Sequence, residues 1–119
     1  MADSTEVIVG TIGLSFAQAL VEGDFKAAHE LLSEPLKVEW PPSRLEEALI
    51  SMVAYGDGPP DKIELISFDD MHTWPTRQCA DLGWAYVAIC GDGFNEAVSV
   101  VVATDGGRHV IRDVEWGRP

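Results

Sequence analysis

The feature that most constrains the fold is a change in hydrophobic spacing about halfway along the chain. Before the sequence GDGPP at 56–60, apolar residues recur at helical spacing and fall on one side of each predicted helix. From Asp61 onward they occur in short runs separated by glycine-containing turns, which is typical of antiparallel hairpins. Helices followed by a strand meander predict an α+β fold, and the length of 119 residues predicts a single domain, 1–119.

Three helices are predicted in the first half of the chain. We expect the first helix to end at Gly23 in the left-handed conformation, and Asp24 to cap the second. Pro35 is expected to stop the second helix, because proline cannot continue one, and the segment LKVEW that follows is expected to be extended. A capping box that opens at Ser43 predicts the start of the third helix.

One predicted strand, 95–104, has no polar face. Its two alternating rows are Val98, Val100 and Val102 on one side and Ala97, Ser99, Val101 and Ala103 on the other. An antiparallel sheet with one face in water alternates apolar and polar side chains more cleanly. Because three helices can cover only one face of a sheet, we expect the other face to be covered by a second copy, in a homodimer that packs through the sheet.

Charge argues against one class of partner. Twenty acidic against eight basic residues give a net charge of −12, whereas nucleic-acid affinity comes largely from Lys and Arg contacts to phosphate. We therefore expect no nucleic-acid binding, while a basic protein partner fits the charge.

No apolar run is long enough for a membrane span, and MADSTEV lacks the pattern of a secretory signal. Cys79 and Cys90 fit neither a disulfide framework nor a metal motif, so we expect a cytoplasmic protein with reduced thiols.

Two segments resemble a known superfamily. The helix–GD–helix corner in ALVEGDFKAAHELLSE and the closing hairpin in SVVVATDGGRHVIRDVEW are similar to those of the nuclear transport factor 2-like (SnoaL-like, cystatin-like) superfamily. The resemblance implies a cone-shaped α+β barrel, with three N-terminal helices packed on a strongly curved, mainly antiparallel sheet and a pocket at its open end. Members of that superfamily include isomerases, dehydratases, cyclases and non-catalytic binding modules, so the resemblance predicts a fold rather than an activity.

Three residues are candidates for catalysis. Glu39 follows the second predicted helix, and the resemblance implies a catalytic base near this place in ketosteroid isomerases, although the first helix has no Tyr to serve as its oxyanion partner. Regular alternation in HVIRDVEWG puts His109 and Asp113 on one face with Glu115. If that face lined a pocket, a carboxylate beside a histidine could act as a general base. If it faced solvent, these residues would be the polar side of a terminal strand.

Aromatic residues are candidates for ligand binding, since aromatic walls with few polar groups are typical of small-molecule sites. The predicted ligand-binding residues are Trp40, Tyr55, Trp84, Tyr86 and Glu115. Core or dimer-interface aromatic residues would give the same pattern. The sequence DDMH at 69–72 offers Asp69, Asp70 and His72 as ligands, but without a second cluster at fixed spacing neither a metal ion nor a cofactor is predicted.

Three functions remain open at this point. The first is a non-catalytic domain that binds a small apolar ligand or a protein partner in or near the implied pocket. The second is a cofactor-independent pocket enzyme of isomerase, dehydratase or cyclase type, with Glu39 or Asp113 as the base. The third is an acidic interaction protein of the immunity or antitoxin kind, for which the net charge of −12 would favour a basic partner.

Overall fold

A computed structural model of the chain describes residues 4–54, 60–69, 81–91 and 94–116. Its helices are α1 (Ser4–Val21), α2 (Phe25–Glu30), α3 (Glu34–Glu39) and α4 (Pro42–Val53). Its strands are β1 (Pro60–Asp69), β2 (Asp81–Gly91), β3 (Phe94–Asp105) and β4 (Arg108–Trp116). The predicted α+β order, helices first and then a strand meander, is confirmed, with four helices in place of the three expected.

The corner between α1 and α2 forms as predicted. Gly23 has a φ of 77°, its amide donates to Leu20 O at 3.1 Å, and the Asp24 amide donates to Ala19 O at 2.9 Å. This pair of hydrogen bonds is the Schellman motif, which satisfies the last carbonyl groups of a helix. The Asp24 carboxylate then accepts from the Ala27 amide at 3.1 Å and caps α2.

Two predictions about the later helices are wrong. Pro35 lies in the first turn of α3, so it begins a helix rather than preventing one, and most of LKVEW is helical. The first turn tolerates proline because the amide groups there have no partner within the helix. For the same reason α4 begins at Pro42, after Pro41 at the cap position, and Ser43 lies inside the helix without capping it.

The sheet is an antiparallel meander in the order β1–β2–β3–β4. Its edge strands, β1 and β4, do not pair with each other, so over the described residues the sheet is open and the closed cone is not confirmed. The segment between α2 and α3 pairs with the outer edge of β4: the Ile111 amide donates to Leu31 O, and the Ser33 amide donates to Ile111 O, both at 2.8 Å. The first and last parts of the described chain are therefore joined by backbone hydrogen bonds.

The main core lies between the helices and one face of the sheet. Phe16 and Leu20 of α1 are at most 1% exposed and belong to one cluster with the fully buried row of β3. The strand residues of this cluster are Ala85, Val87, Ile89, Val98, Val100, Val102, Ile111 and Val114. We call this side of the sheet the helix face.

A second set of buried apolar residues lies outside that core. Its members are Ala88, Ala97, Val101, Ala103 and Val110, each at most 7% exposed. In β2 and β3 they alternate with the helix-face residues, and Val110 pairs with Ala103, so they lie on the opposite side of the sheet. We call this side, which also carries Trp84, Tyr86 and Ser99, the open face. Among the described helices only the start of α3, at Ser33 and Pro35, borders it.

Candidate functional site

A bulge in β4 decides where the predicted catalytic residues lie. Val101 of β3 pairs with Asp113, but the next residue, Val102, pairs with Ile111, so Arg112 is an extra residue in β4. An extra residue reverses the alternation of side chains along the rest of a strand. Ile111 before the bulge is on the helix face, whereas Asp113 after it pairs with an open-face residue.

The prediction that His109, Asp113 and Glu115 share a face with Ile111 is therefore wrong. His109 pairs with Thr104 beside the β3–β4 turn and is exposed. It lies on the same side of the sheet as Ile111. Asp113 and Glu115 are also exposed, but they lie on the open face. The histidine and the two acids thus do not come together, because regular alternation was assumed across a bulged strand.

Glu39 lies on a helix rather than on the sheet. It is the last residue of α3 and is exposed, and its backbone carbonyl accepts a hydrogen bond from Arg44 Nη1 at 2.8 Å. Among the residues whose side chains are described, the one buried polar residue is Ser33. A general base in a pocket is usually a carboxylate or histidine shielded from water. None of the three catalytic candidates has that environment.

The structure divides the predicted ligand-binding residues into two groups. Trp84, Tyr86 and Glu115 lie together on the open face, where Tyr86 and Glu115 flank Ser99 of β3 on its two sides. Trp40 lies with the helix-side core instead, and Tyr55 is outside the described residues. The predicted set is therefore not one site.

Trp40 belongs to an aromatic cluster that the sequence reasoning missed. Its ring centroid lies 5.6 Å from that of Trp116, which in turn lies 6.3 Å from the ring of Phe16. The Arg44 guanidinium carbon lies 4.4 Å from the centre of the Trp40 ring, at cation–π distance. Trp116 reaches this side only because the bulge reverses the alternation of β4, and that signal is absent from the sequence pattern. Its Nε1 atom is buried and has no hydrogen-bond partner among the described residues.

A groove of about 360 Å³ runs beside this cluster, between Trp116 and the α4 residues Ala48, Ser51 and Met52. Its volume is at the lower end of the range for small-molecule sites. Ligand binding by an apolar molecule stays a prediction. Of the aromatic cluster, Trp116 lines this groove and Trp40 does not.

Around Trp84 and Tyr86 the open face forms a surface rather than a pocket, whereas a depression of about 420 Å³ lies at its β4 side, between Ala103, Val110 and Arg112 and the start of α3. Trp84 is opposite Val101, Tyr86 is opposite Ser99, and Val101 is opposite Asp113 in β4. The crevice among these residues has a volume of about 10 Å³, which is room for about one water molecule. A small organic ligand does not fit there, whereas a large flat partner can contact the whole face.

The other predicted features are placed as follows. Asp70, His72 and Cys79 lie outside the described residues, and the side chain of Asp69 is not described. In the described part of the chain, no group of three or more His, Cys, Asp and Glu side chains is placed to hold a metal ion. Cys90 is a free thiol whose Sγ atom lies 3.2 Å from Asn95 Oδ1. No helix within the described ranges is long and apolar enough to cross a membrane.

An open antiparallel sheet with helices against one face defines a two-layer α+β protein. No protein-family model matches the chain, and no curated protein matches it. A solved structure that it resembles is the solution structure of a SEC-C motif-containing protein from Rhodopseudomonas palustris. The match has a TM-score of 0.52 and 11% sequence identity, and it covers 82% of this chain and 70% of that one. At this identity the similarity concerns the fold alone.

These findings overturn the predicted superfamily. The fold resembles that of a SEC-C motif-containing protein, and nothing in the comparisons indicates the nuclear transport factor 2-like superfamily, so that prediction is wrong. The corner at Gly23 and the hairpin at Gly106 both form, with φ angles of 77° and 57°. A Schellman corner and a glycine hairpin are local solutions to helix ending and strand reversal that many folds share. They therefore specify local geometry and do not identify a protein family.

Proposed function

We propose that the chain is a non-catalytic interaction domain that binds a protein partner through the open face of its sheet. The observation that carries the proposal is the pair of half-exposed aromatic residues, Trp84 and Tyr86 of β2, beside a row of small apolar residues on this face. Ala97 is 1% exposed and Val101 5% exposed, although both lie outside the core that the helices form. Tryptophan and tyrosine are enriched at the centres of protein interfaces.

The geometry of the catalytic candidates supports binding over catalysis. Glu39, His109 and Asp113 are all exposed, and the bulge at Arg112 puts His109 and Asp113 on opposite sides of the sheet. General acid–base catalysis needs such groups within hydrogen-bond reach of one reacting site. A binding surface has no such requirement, and the acids at Asp113 and Glu115 then form its polar rim.

Photo-crosslinking tests the proposal. In cells that produce the full chain, a benzophenone amino acid would replace Ser99 at the centre of the open face. In a control, it would replace Ser43 on α4. Ser99 lies between Tyr86 and Glu115, whereas Ser43 is an exposed helix residue. We expect an adduct specific to the Ser99 probe, with its partner peptide identified by mass spectrometry. The same adducts from both positions, or none from either, would overturn the proposal.

A further inference from the structure

We infer that the partner of the open face is a second copy of this chain, so that two sheets pack face to face around a twofold axis. This inference rests on the proposed function of the open face and identifies its occupant. Three properties of the face carry it: its size, its charge and the arrangement of large and small side chains.

The size of the face fits a stable interface. Four strands about 4.8 Å apart, each about ten residues long at about 3.3 Å per residue, have a projected area of about 600 Å². This projection matches the lower end of the range for specific interfaces, which bury about 600–1,000 Å² on each partner. A standard protein interface buries about 800 Å² on each partner, so one sheet face covered by another is of the required size.

The charge of the face favours a second copy over a basic protein. Its described charged side chains are Lys62 and Glu64 on β1, Asp105 on β3, and Arg108, Arg112, Asp113 and Glu115 on β4. Three cations against four acids leave a net charge of −1 there, whereas the whole chain carries −12. The open face is thus nearly neutral in a strongly acidic molecule. Two identical faces can therefore approach without the charge repulsion that the remaining acidic surface would produce. A basic protein would gain more electrostatic attraction by binding to that acidic surface than to the open face.

The side chains of the face are complementary to themselves. Strand β2 presents the large rings of Trp84 and Tyr86, and the adjacent strand β3 presents the small side chains of Ala97, Ser99 and Val101. A twofold axis parallel to the strands and between β2 and β3 puts the large row of each copy across the small row of the other. Trp84 then lies across Val101 of the second copy, and Tyr86 across its Ser99. Such isologous packing is the commonest form of homodimer, and aligned sheets pack about 10 Å apart.

Light scattering on the full chain at micromolar concentration tests the inference. We expect twice the chain mass of 12.9 kDa for the unmodified protein. The variant Ser99→Arg would put a long, charged side chain between the two packed sheets and weaken association at least about a hundredfold, to the mass of one chain. The matched control Ser43→Arg makes the same change on exposed α4 and should keep the mass of two chains. Denaturation by urea checks that both variants fold.

The outcomes separate this inference from the proposed function. The mass of one chain for the unmodified protein would overturn the homodimer, and so would a two-chain mass that Ser99→Arg leaves unchanged. In either case, a Ser99-specific photo-adduct with a different protein would retain the interaction domain with another partner. If neither assay detects a partner at Ser99, both the inference and the proposed function fail.

Discussion

At the scale of single residues, Gly13 shows how closely α1 approaches the sheet. A methyl group added there would lie 2.7 Å from Ala85 Cβ and 3.4 Å from Val87 Cγ2. The 2.7 Å contact would force the backbone or neighbouring side chains to move, because folded cores have little free space. In the sequence, the same glycine merely weakens the prediction of a helix. In the structure it allows the core to close.

We therefore expect Gly13→Ala to lower the free energy of unfolding by about 1–2 kcal/mol. Overpacking against Ala85 outweighs the gain of about 1 kcal/mol that alanine brings to a helix interior. Urea denaturation followed by circular dichroism measures the difference. Thr11→Ala on the exposed side of α1 is the control and should not be destabilised comparably. A more stable Gly13→Ala protein would show that α1 can move away from β2 at little cost.

Asp24 makes the capping hydrogen bond to the Ala27 amide at 3.1 Å. Replacement by alanine removes the acceptor and should lower the free energy of unfolding by about 1 kcal/mol. The control is Lys26→Ala, in the first turn of the same helix and exposed, which shows whether any substitution in α2 has this effect. Equal denaturation midpoints for the two variants would contradict a capping role for Asp24.

At the scale of elements, the bulge at Arg112 determines which side chains β4 directs to each face. Val114 and Trp116 pack on the helix face because Arg112 is an extra residue in the strand. Deletion of Arg112 would restore regular alternation and turn these two side chains out of the core, or would shift the register of the whole strand. We expect either result to lower the free energy of unfolding by about 3 kcal/mol or more.

The substitution Arg112→Ala is the control for this deletion. It keeps the number of residues in β4, and with it the register between β3 and β4. We expect a much smaller change in the urea midpoint than for the deletion. Similar losses for both variants would mean that the arginine side chain, rather than the extra backbone residue, stabilises β4.

At the scale of the whole molecule, the net charge of −12 opposes compact folding. Sodium chloride raised from about 0.01 M to about 0.15 M shortens the Debye length from about 30 Å to about 8 Å. We therefore expect added salt to increase the urea midpoint at a fixed protein concentration. A double variant with Glu46→Gln and Glu47→Gln on exposed α4 should respond less to salt. A midpoint that falls with salt would show that attraction between charges dominates.

The sequence was sufficient for the order of the elements and for the corner at Gly23, because both follow from local chemistry: hydrophobic period, a left-handed glycine and a capping acid. It was insufficient for α3, where Pro35 is compatible with either a helix end or a helix start. It was also insufficient for the site. No residue type marks the bulge at Arg112, and a shift of one residue moves Asp113 away from His109.

The pairing of Leu32 with Ile111 has a consequence for the order of events during synthesis. The segment 31–33 leaves the ribosome long before β4. Until β4 follows, this segment lacks the strand with which it forms hydrogen bonds. Over that interval valine-rich β3 is the growing edge of the sheet, open to pairing with other nascent chains. When β4 pairs with β3, this edge is closed and β4 becomes the new edge of the sheet. The segment 31–33 then pairs with part of β4. Translation of β4 thus ends the period in which the edge of β3 is open to aggregation.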